Sequence, residues 1–106
     1  MDLSQVPWRA TRYPGVDVHF YASDRQRGRV LALIRMAPGC GYPAHRHRGE
    51  EHVLVLQGGY RDEAGEHMAG QFVRYEDRSE HAPVAIAGDR ACVLLALAQE
   101  GVALLA

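Results

Sequence analysis

The sequence has only two cysteines, Cys40 and Cys92, and neither belongs to a CxxC pair. Two free thiols in a reducing compartment are the reading this favours. Long hydrophobic runs are also lacking. The nearest approach, Ala91 to Ala98, is eight residues, against the eighteen or so that a membrane span requires. The residues from Met1 to Gly15 lack the basic start and apolar core of a signal peptide. On these absences the expectation is a cytoplasmic protein with no membrane partner. No charge of either sign dominates: the formal net charge is -1, and neither end forms an acidic or basic tail. Nucleic acid is therefore not expected as a partner. Internal repeats, low-complexity segments and linkers are absent. One domain is expected over residues 1–106, with a core at about 16–98, an N-terminal arm and an apolar C-terminal tail.

What is present is a chain of short strands. Apolar residues make up 47% of the 106 positions, enough for one buried core. Gly, Pro and Asp signals cut the chain into segments at Val16–Ala22, Arg29–Ala37, Tyr42–His47, Glu51–Gln57, Phe72–Glu76, His81–Ile86 and Ala91–Ala98. A hairpin is expected between Tyr60–Asp62 and His67–Met68, across a turn from Glu63 to Glu66. Helix is nearly missing, so the fold class is all-β, a barrel or sandwich. The apolar tail from Val102 to Ala106 should cover the barrel or lie at a dimer contact.

The chemistry concentrates between Gly39 and Gly58, which hold His45, His47 and Glu51, followed at a distance by His81. Successive strand side chains point to opposite faces, so His45 and His47 share a face while Arg46 turns away. Glu51 has the same parity, and Gly49 permits a bend or bulge that closes the chain on one ion. His81 must arrive from another strand. Three imidazoles and a carboxylate suit Zn, Fe, Mn, Ni or Cu and disfavour Ca and Mg. Four such ligands either close a tetrahedral structural site or leave two octahedral positions for water, dioxygen or a bidentate substrate.

The spacing Gly39-x5-His45-x-His47-x3-Glu51-x6-Gly58 resembles the first motif of the cupin superfamily at every position. In the second motif Gly70 and His81 stand at the right distance, while Glu76, Arg78 and Ala85 replace the usual Pro, Gly and Asn. A non-glycine residue at position 78 implies a turn without positive φ there. Within the superfamily, the block from His45 to Tyr75 is similar to the cupin domain of ChrR-type anti-sigma factors and their free-standing relatives. The marks are Gly49-Glu50-Glu51, Val55-Leu56-Gln57-Gly58, Arg61-Asp62-Glu63 with Gly65, and Ser79-x-His81-Ala82-Pro83.

That resemblance spans about Trp8 to Leu97 and implies a cupin, the double-stranded β-helix or jelly-roll barrel. It implies His45, His47, Glu51 and His81 as ligands of one divalent metal, with zinc the metal of the ChrR branch and iron, manganese or nickel as alternatives. ChrR-type factors also carry an N-terminal zinc module with a His-x3-Cys-x2-Cys signature. This chain has none, so sequestering a sigma factor by that route is not expected. The same branch contains free-standing dioxygenases that cleave diketone-like substrates. The implied function is a sensory, regulatory or small-molecule-binding cupin, with a dioxygenase as the alternative and a purely structural metal as a third outcome. No catalytic residue beyond the ligands is assigned.

The remaining candidates are weaker. His19, His52 and His67 read as surface or packing residues. Glu50 is solvated or orients a ligand imidazole, and Arg61, Asp62 and Glu63 fix the hairpin turn. Cys40 is an oxidisable thiol near the metal or a loop filler, whereas Cys92 belongs to the core. Phe20, Tyr42, Phe72 and Tyr75 are candidates for the pocket mouth, Tyr42 foremost. Arg35, Arg46, Arg48 and Arg74 are candidates for binding a carboxylate or enolate. Arg35 and Arg74 lie in apolar strands, so at least one should point into the barrel or toward a partner subunit. Val53 and Val55 should face inward and Leu54 and Leu56 outward, where a homodimer would cover them.

Overall fold

Alternation of apolar residues along each strand decides which face is buried, and it does so most clearly in β5. The computed structural model describes residues 2–24, 26–99 and 102–104. In β5 (Glu51–Gln57), Val53 and Val55 are buried while Leu54 and Leu56 on the opposite face are half-buried. The strands before it are β1 (Arg9–Ala10), β2 (Val16–Asp24), β3 (Arg29–Met36) and β4 (His45–His47). After it come β6 (Gly59–Asp62), β7 (Gly65–Met68), β8 (Phe72–Tyr75), β9 (Glu80–His81), β10 (Val84–Ala85), β11 (Cys92–Ala98) and β12 (Val102–Leu104). A short 3-10 turn at Leu3–Gln5 precedes them, capped by the Asp2 side chain.

The strands form a six-stranded sheet in the order β1-β2-β3-β11-β5-β8 and two three-stranded sheets, β10-β6-β7 and β12-β4-β9. Every pairing is antiparallel. The core joins inward residues of the large sheet (Val16, Met36, Val53, Val55, Cys92, Leu94) to Tyr60 and Ala85 of the β6–β10 sheet. This is the all-β cupin architecture. Cys92 is 1% exposed, and burial pushes its thiol up to about 12, so it behaves as a core residue. No helix among the described residues is long and apolar enough to cross a membrane.

Three local expectations need correction. The segment from His81 to Ile86 is two strands in different sheets, because Pro83 between them has no N–H to continue a ladder. The β6–β7 hairpin closes over Glu63 and Ala64 alone, where Asp62 Oδ1 accepts from the Ala64 N–H at 3.0 Å. The tail, whose expected role stands apart from these corrections, is partly regular: Val102–Leu104 pairs along β4, with Leu104 opposite His45, while residues 105 and 106 lie outside the described residues. Arg78 does adopt positive φ, at 70°. Its N–H bonds the His47 carbonyl at 2.9 Å and the next N–H, of Ser79, bonds the Glu76 carbonyl at 3.1 Å, so the turn keeps its left-handed residue without glycine.

Arg35 and Arg74, at least one of which is expected in the barrel or toward a partner subunit, both take outward positions. Arg35 lies on the outer sheet face, bonded to Asp17 at 2.7 Å and over the Trp8 ring at 4.5 Å. Arg74 is paired with Glu50 and is half exposed. Neither points into the barrel, because each strand presents its arginine with the outward parity.

Candidate metal centre

Register brings the three histidines together. β4 and β9 place His45 directly across from His81, and the two-residue period puts His47 on the same face as His45. All three are buried, at 4%, 1% and 6% exposure, and their donor atoms lie within 4.8 Å of one another. Gly49, at φ +85°, turns the chain between β4 and β5. A Cβ there would stand 2.8 Å from the Gln99 carbonyl oxygen, so only glycine fits the bend that delivers Glu51 to the site. Glu51 Oε1 lies 3.2 Å from His47 Nε2.

Each imidazole is held from behind by its Nδ1. His45 Nδ1–H donates to the Pro43 carbonyl at 2.9 Å, and His47 Nδ1–H to the Ser79 carbonyl at 3.1 Å. His81 Nδ1–H donates to Asp62 Oδ2 at 3.0 Å. These partners fix the tautomer and leave the Nε2 lone pairs aimed inward. Burial lowers the pKa of His45 and of His81, which keeps both rings neutral and available as ligands.

The inward atoms then face one another as acceptors. His45 Nε2 and His81 Nε2 are 2.9 Å apart, and His47 Nε2 faces the Glu51 carboxylate. Such contacts repel unless a proton or a cation lies between them. Two nitrogens bound to one ion at about 2.1 Å each stand roughly 3 Å apart, so the spacing and the donor chemistry fit a divalent metal. The three histidines could therefore hold one.

Behind His81 lies a network that the sequence reading assigned only to a turn. Asp62, 1% exposed at its side chain, accepts from His81, from the Tyr75 hydroxyl at 2.7 Å and from His67 Nε2 at 2.9 Å. Tyr75 in turn meets the Tyr60 hydroxyl at 2.5 Å, and its ring stacks on His47 with centroids 5.0 Å apart. Burial drives the Tyr60 and Tyr75 hydroxyls toward higher pKa, so both stay protonated donors. The missed signal was parity: Asp62 shares its face of β6 with the inward Tyr60. Asp62 orients the His81 imidazole, while Glu50 takes the solvated alternative and pairs with Arg74.

Among the aromatic candidates, Phe20 and Tyr42 line a cavity beside the histidines, with the Tyr42 ring 5.2 Å from that of His45. Phe72 lies on the outer face, stacked on His52 and 66% exposed. Arg46 pairs with Glu80 at the surface. Cys40 is half-buried, against Gly15.

A family model described as the ChrR cupin-like domain matches residues 1–100. The anti-sigma-E factor ChrR of Cereibacter sphaeroides is 41% identical over 70 residues, which are 65% of this chain and 32% of that protein. The crystal structure of Rhodobacter sphaeroides SigE in complex with the anti-sigma ChrR superposes with TM-score 0.79 at 35% identity, covering 92% of this chain and 50% of the other. The chain thus spans a third to a half of the ChrR chains it matches. An RmlC-like cupin from Ralstonia eutropha shares the fold at TM-score 0.86 and 24% identity, covering 99% of this chain and 70% of its own. An acetylacetone dioxygenase from Acinetobacter johnsonii shares it at 0.86 and 10% identity, covering 100% and 76%.

Proposed function

Because the chain belongs to the ChrR cupin-like domain family, we propose that it binds one divalent metal through His45, His47, His81 and Glu51 and acts as a sensory or ligand-binding cupin. The observation that carries this reading is the convergence of three buried Nε2 lone pairs and one carboxylate oxygen. Zinc is the favoured ion by resemblance to the ChrR branch, and nitrogen and oxygen donors suit it. The metal would supply charge to the site, and the chain would hold the imidazoles neutral and oriented. The ChrR relative in its complex with SigE supports a protein partner for this chain as well. Leu54 and Leu56 on the outer face support a homodimer.

A second reading, a dioxygenase of small diketone-like substrates, is favoured by the cavity that opens beside His45, His81 and Glu51. A redox-active ion would then supply the dioxygen chemistry, while the apolar walls orient substrate and exclude water.

The test is elemental analysis of protein purified without affinity metals, with dioxygen uptake measured against β-diketones. One zinc per chain and no uptake is the expected result; iron, manganese or nickel with substrate-dependent uptake would establish the second reading. His81→Ala and Glu51→Ala should each lower metal content well below one ion per chain. Full occupancy in either variant removes that residue from the ligand set.

A further inference from the structure

The cavity beside the histidines has a shape that this chain's alanines create. Three strands meet on the inner face of the six-stranded sheet, and register sets their residues side by side. Ala96 of β11 lies opposite Ala32 of β3 on one flank and Val53 of β5 on the other. Ala98 lies opposite Val30 and Glu51 in the same way. Toward the other end of the same strands stand Met36, Ile34 and Leu94, which fill the core. Where leucine-sized side chains would meet, the sheet presents methyl groups, and a space of about 290 Å³ remains.

The lining chemistry is one-sided. Val16, Val18, Ile34 and Leu94 form apolar walls, and His45, His81, Glu51 and the Tyr42 ring lie along the same space. Among the described residues, none that lines the cavity is an arginine. Arg35, Arg46, Arg61 and Arg74 are each paired with a carboxylate outside it. An anionic group among these walls, away from the histidine end, would meet hydrocarbon, at a desolvation cost that none of these paired arginines offsets.

We infer that this cavity takes a small molecule with an uncharged, mainly apolar body and one polar head that reaches the histidine end, and that Ala32, Ala96 and Ala98 set how long that body can be. The head group rests on the metal reading above, whereas the apolar body rests on the cavity alone. At about 30 Å³ per water-sized unit, the space holds roughly ten non-hydrogen atoms. Molecules that carry a second charged group at the far end, such as dicarboxylates, are excluded by the walls.

The experiment titrates zinc-loaded protein by calorimetry with acetohydroxamic acid, hexanohydroxamic acid and the six-carbon hydroxamate that ends in a carboxylate. Hexanohydroxamic acid should bind about tenfold or more tighter than acetohydroxamic acid, and the terminal carboxylate should remove that gain. Ala96→Leu, and separately Ala98→Leu beside Glu51, should also remove it, with acetohydroxamic acid affinity, zinc content and circular dichroism spectrum unchanged. Equal affinity for all three probes in the parent protein, or a gain that survives both substitutions, overturns the inference. Metal-free protein is titrated in parallel with ethanol and hexan-1-ol, followed by NMR. A preference for hexan-1-ol that Ala96→Leu abolishes supports the cavity even where zinc fails to bind; no preference overturns it.

Discussion

Asp62 grips His81 from behind: its Oδ2 accepts from the His81 Nδ1–H at 3.0 Å while the opposite nitrogen of that ring faces the candidate metal position. The same carboxylate takes hydrogen bonds from Tyr75, His67 and the Ala64 N–H, so one buried side chain ties a turn, two strands and a candidate ligand together. Carboxylates placed this way set both the tautomer and the basicity of a metal-binding imidazole.

Replacing that carboxylate should therefore separate orientation from ligation. Asp62→Asn keeps the volume but presents an amide NH2 where donors already point. We expect metal affinity to fall by about 10- to 100-fold and stability by about 1–3 kcal/mol, the cost of leaving buried donors unpaired. Competition with a chelator gives the first number and thermal unfolding the second. Glu63→Gln, in the same hairpin, should change metal affinity little. Equal losses in the two variants would make Asp62 a turn residue only.

The pH dependence has two windows with the same sign. Burial works against ionisation of Asp62, yet the hydrogen bonds from Tyr75, His81 and His67 outweigh it and hold the carboxyl down at about 2, against an ordinary 3.8. As pH falls the unfolded chain takes up this proton first. The contribution, about 2 kcal/mol, is complete above about pH 4 and is lost as pH drops through about 2. His45 and His81 are lowered by burial from an ordinary 6.5. The unfolded chain again protonates first, so metal-free protein should lose stability as pH falls below about 6.5. Melting temperatures of metal-free protein from pH 8 to 3 should be level at the top and decline from about 6.5 downward. A flat profile between pH 7 and 5 would contradict the neutral, buried state of these rings.

The turn before His81 offers a backbone test. Arg78 sits at φ 70°, a region that costs a non-glycine residue about 1–2 kcal/mol. Arg78→Gly relieves that strain while loosening the unfolded chain, so it should be at least as stable as the parent. Arg78→Val should lose about 1 kcal/mol or more, since a β-branched side chain tolerates this conformation least. Denaturant midpoints of the three proteins decide the order. A valine variant as stable as the glycine variant would mean that the turn adopts another conformation.

Much of the site was legible from local spacing. His45, His47 and Glu51 could be put on one face from strand parity alone, and β5 was bounded correctly because its alternation and its flanking glycines are local signals. The same parity put Val53 and Val55 inside, and composition put Cys92 in the core. Parity also applied to Asp62, yet a turn-rich neighbourhood masked it, since Asp beside Glu-Ala-Gly satisfies a hairpin without any distant partner.

Other features belong to tertiary structure because their causes are far apart in the chain. The sequence could require that His81 come from another strand, but only antiparallel pairing of β4 with β9 sets it opposite His45. Pro83 interrupts the ladder within His81–Ile86, but which sheet each half joins follows from which edges were open to pair, and the pairing of β12 along β4 has the same origin. Positive φ at Arg78 is imposed by two backbone hydrogen bonds that close the turn against His47, which override the local preference of an arginine. The cavity is the clearest case. Ala32 and Ala96 are ordinary strand residues until register places them side by side, and a void exists only where small residues from separate strands coincide. Periodicity is a property of the chain and reports which face is buried; register is a property of the fold and decides what that face encloses.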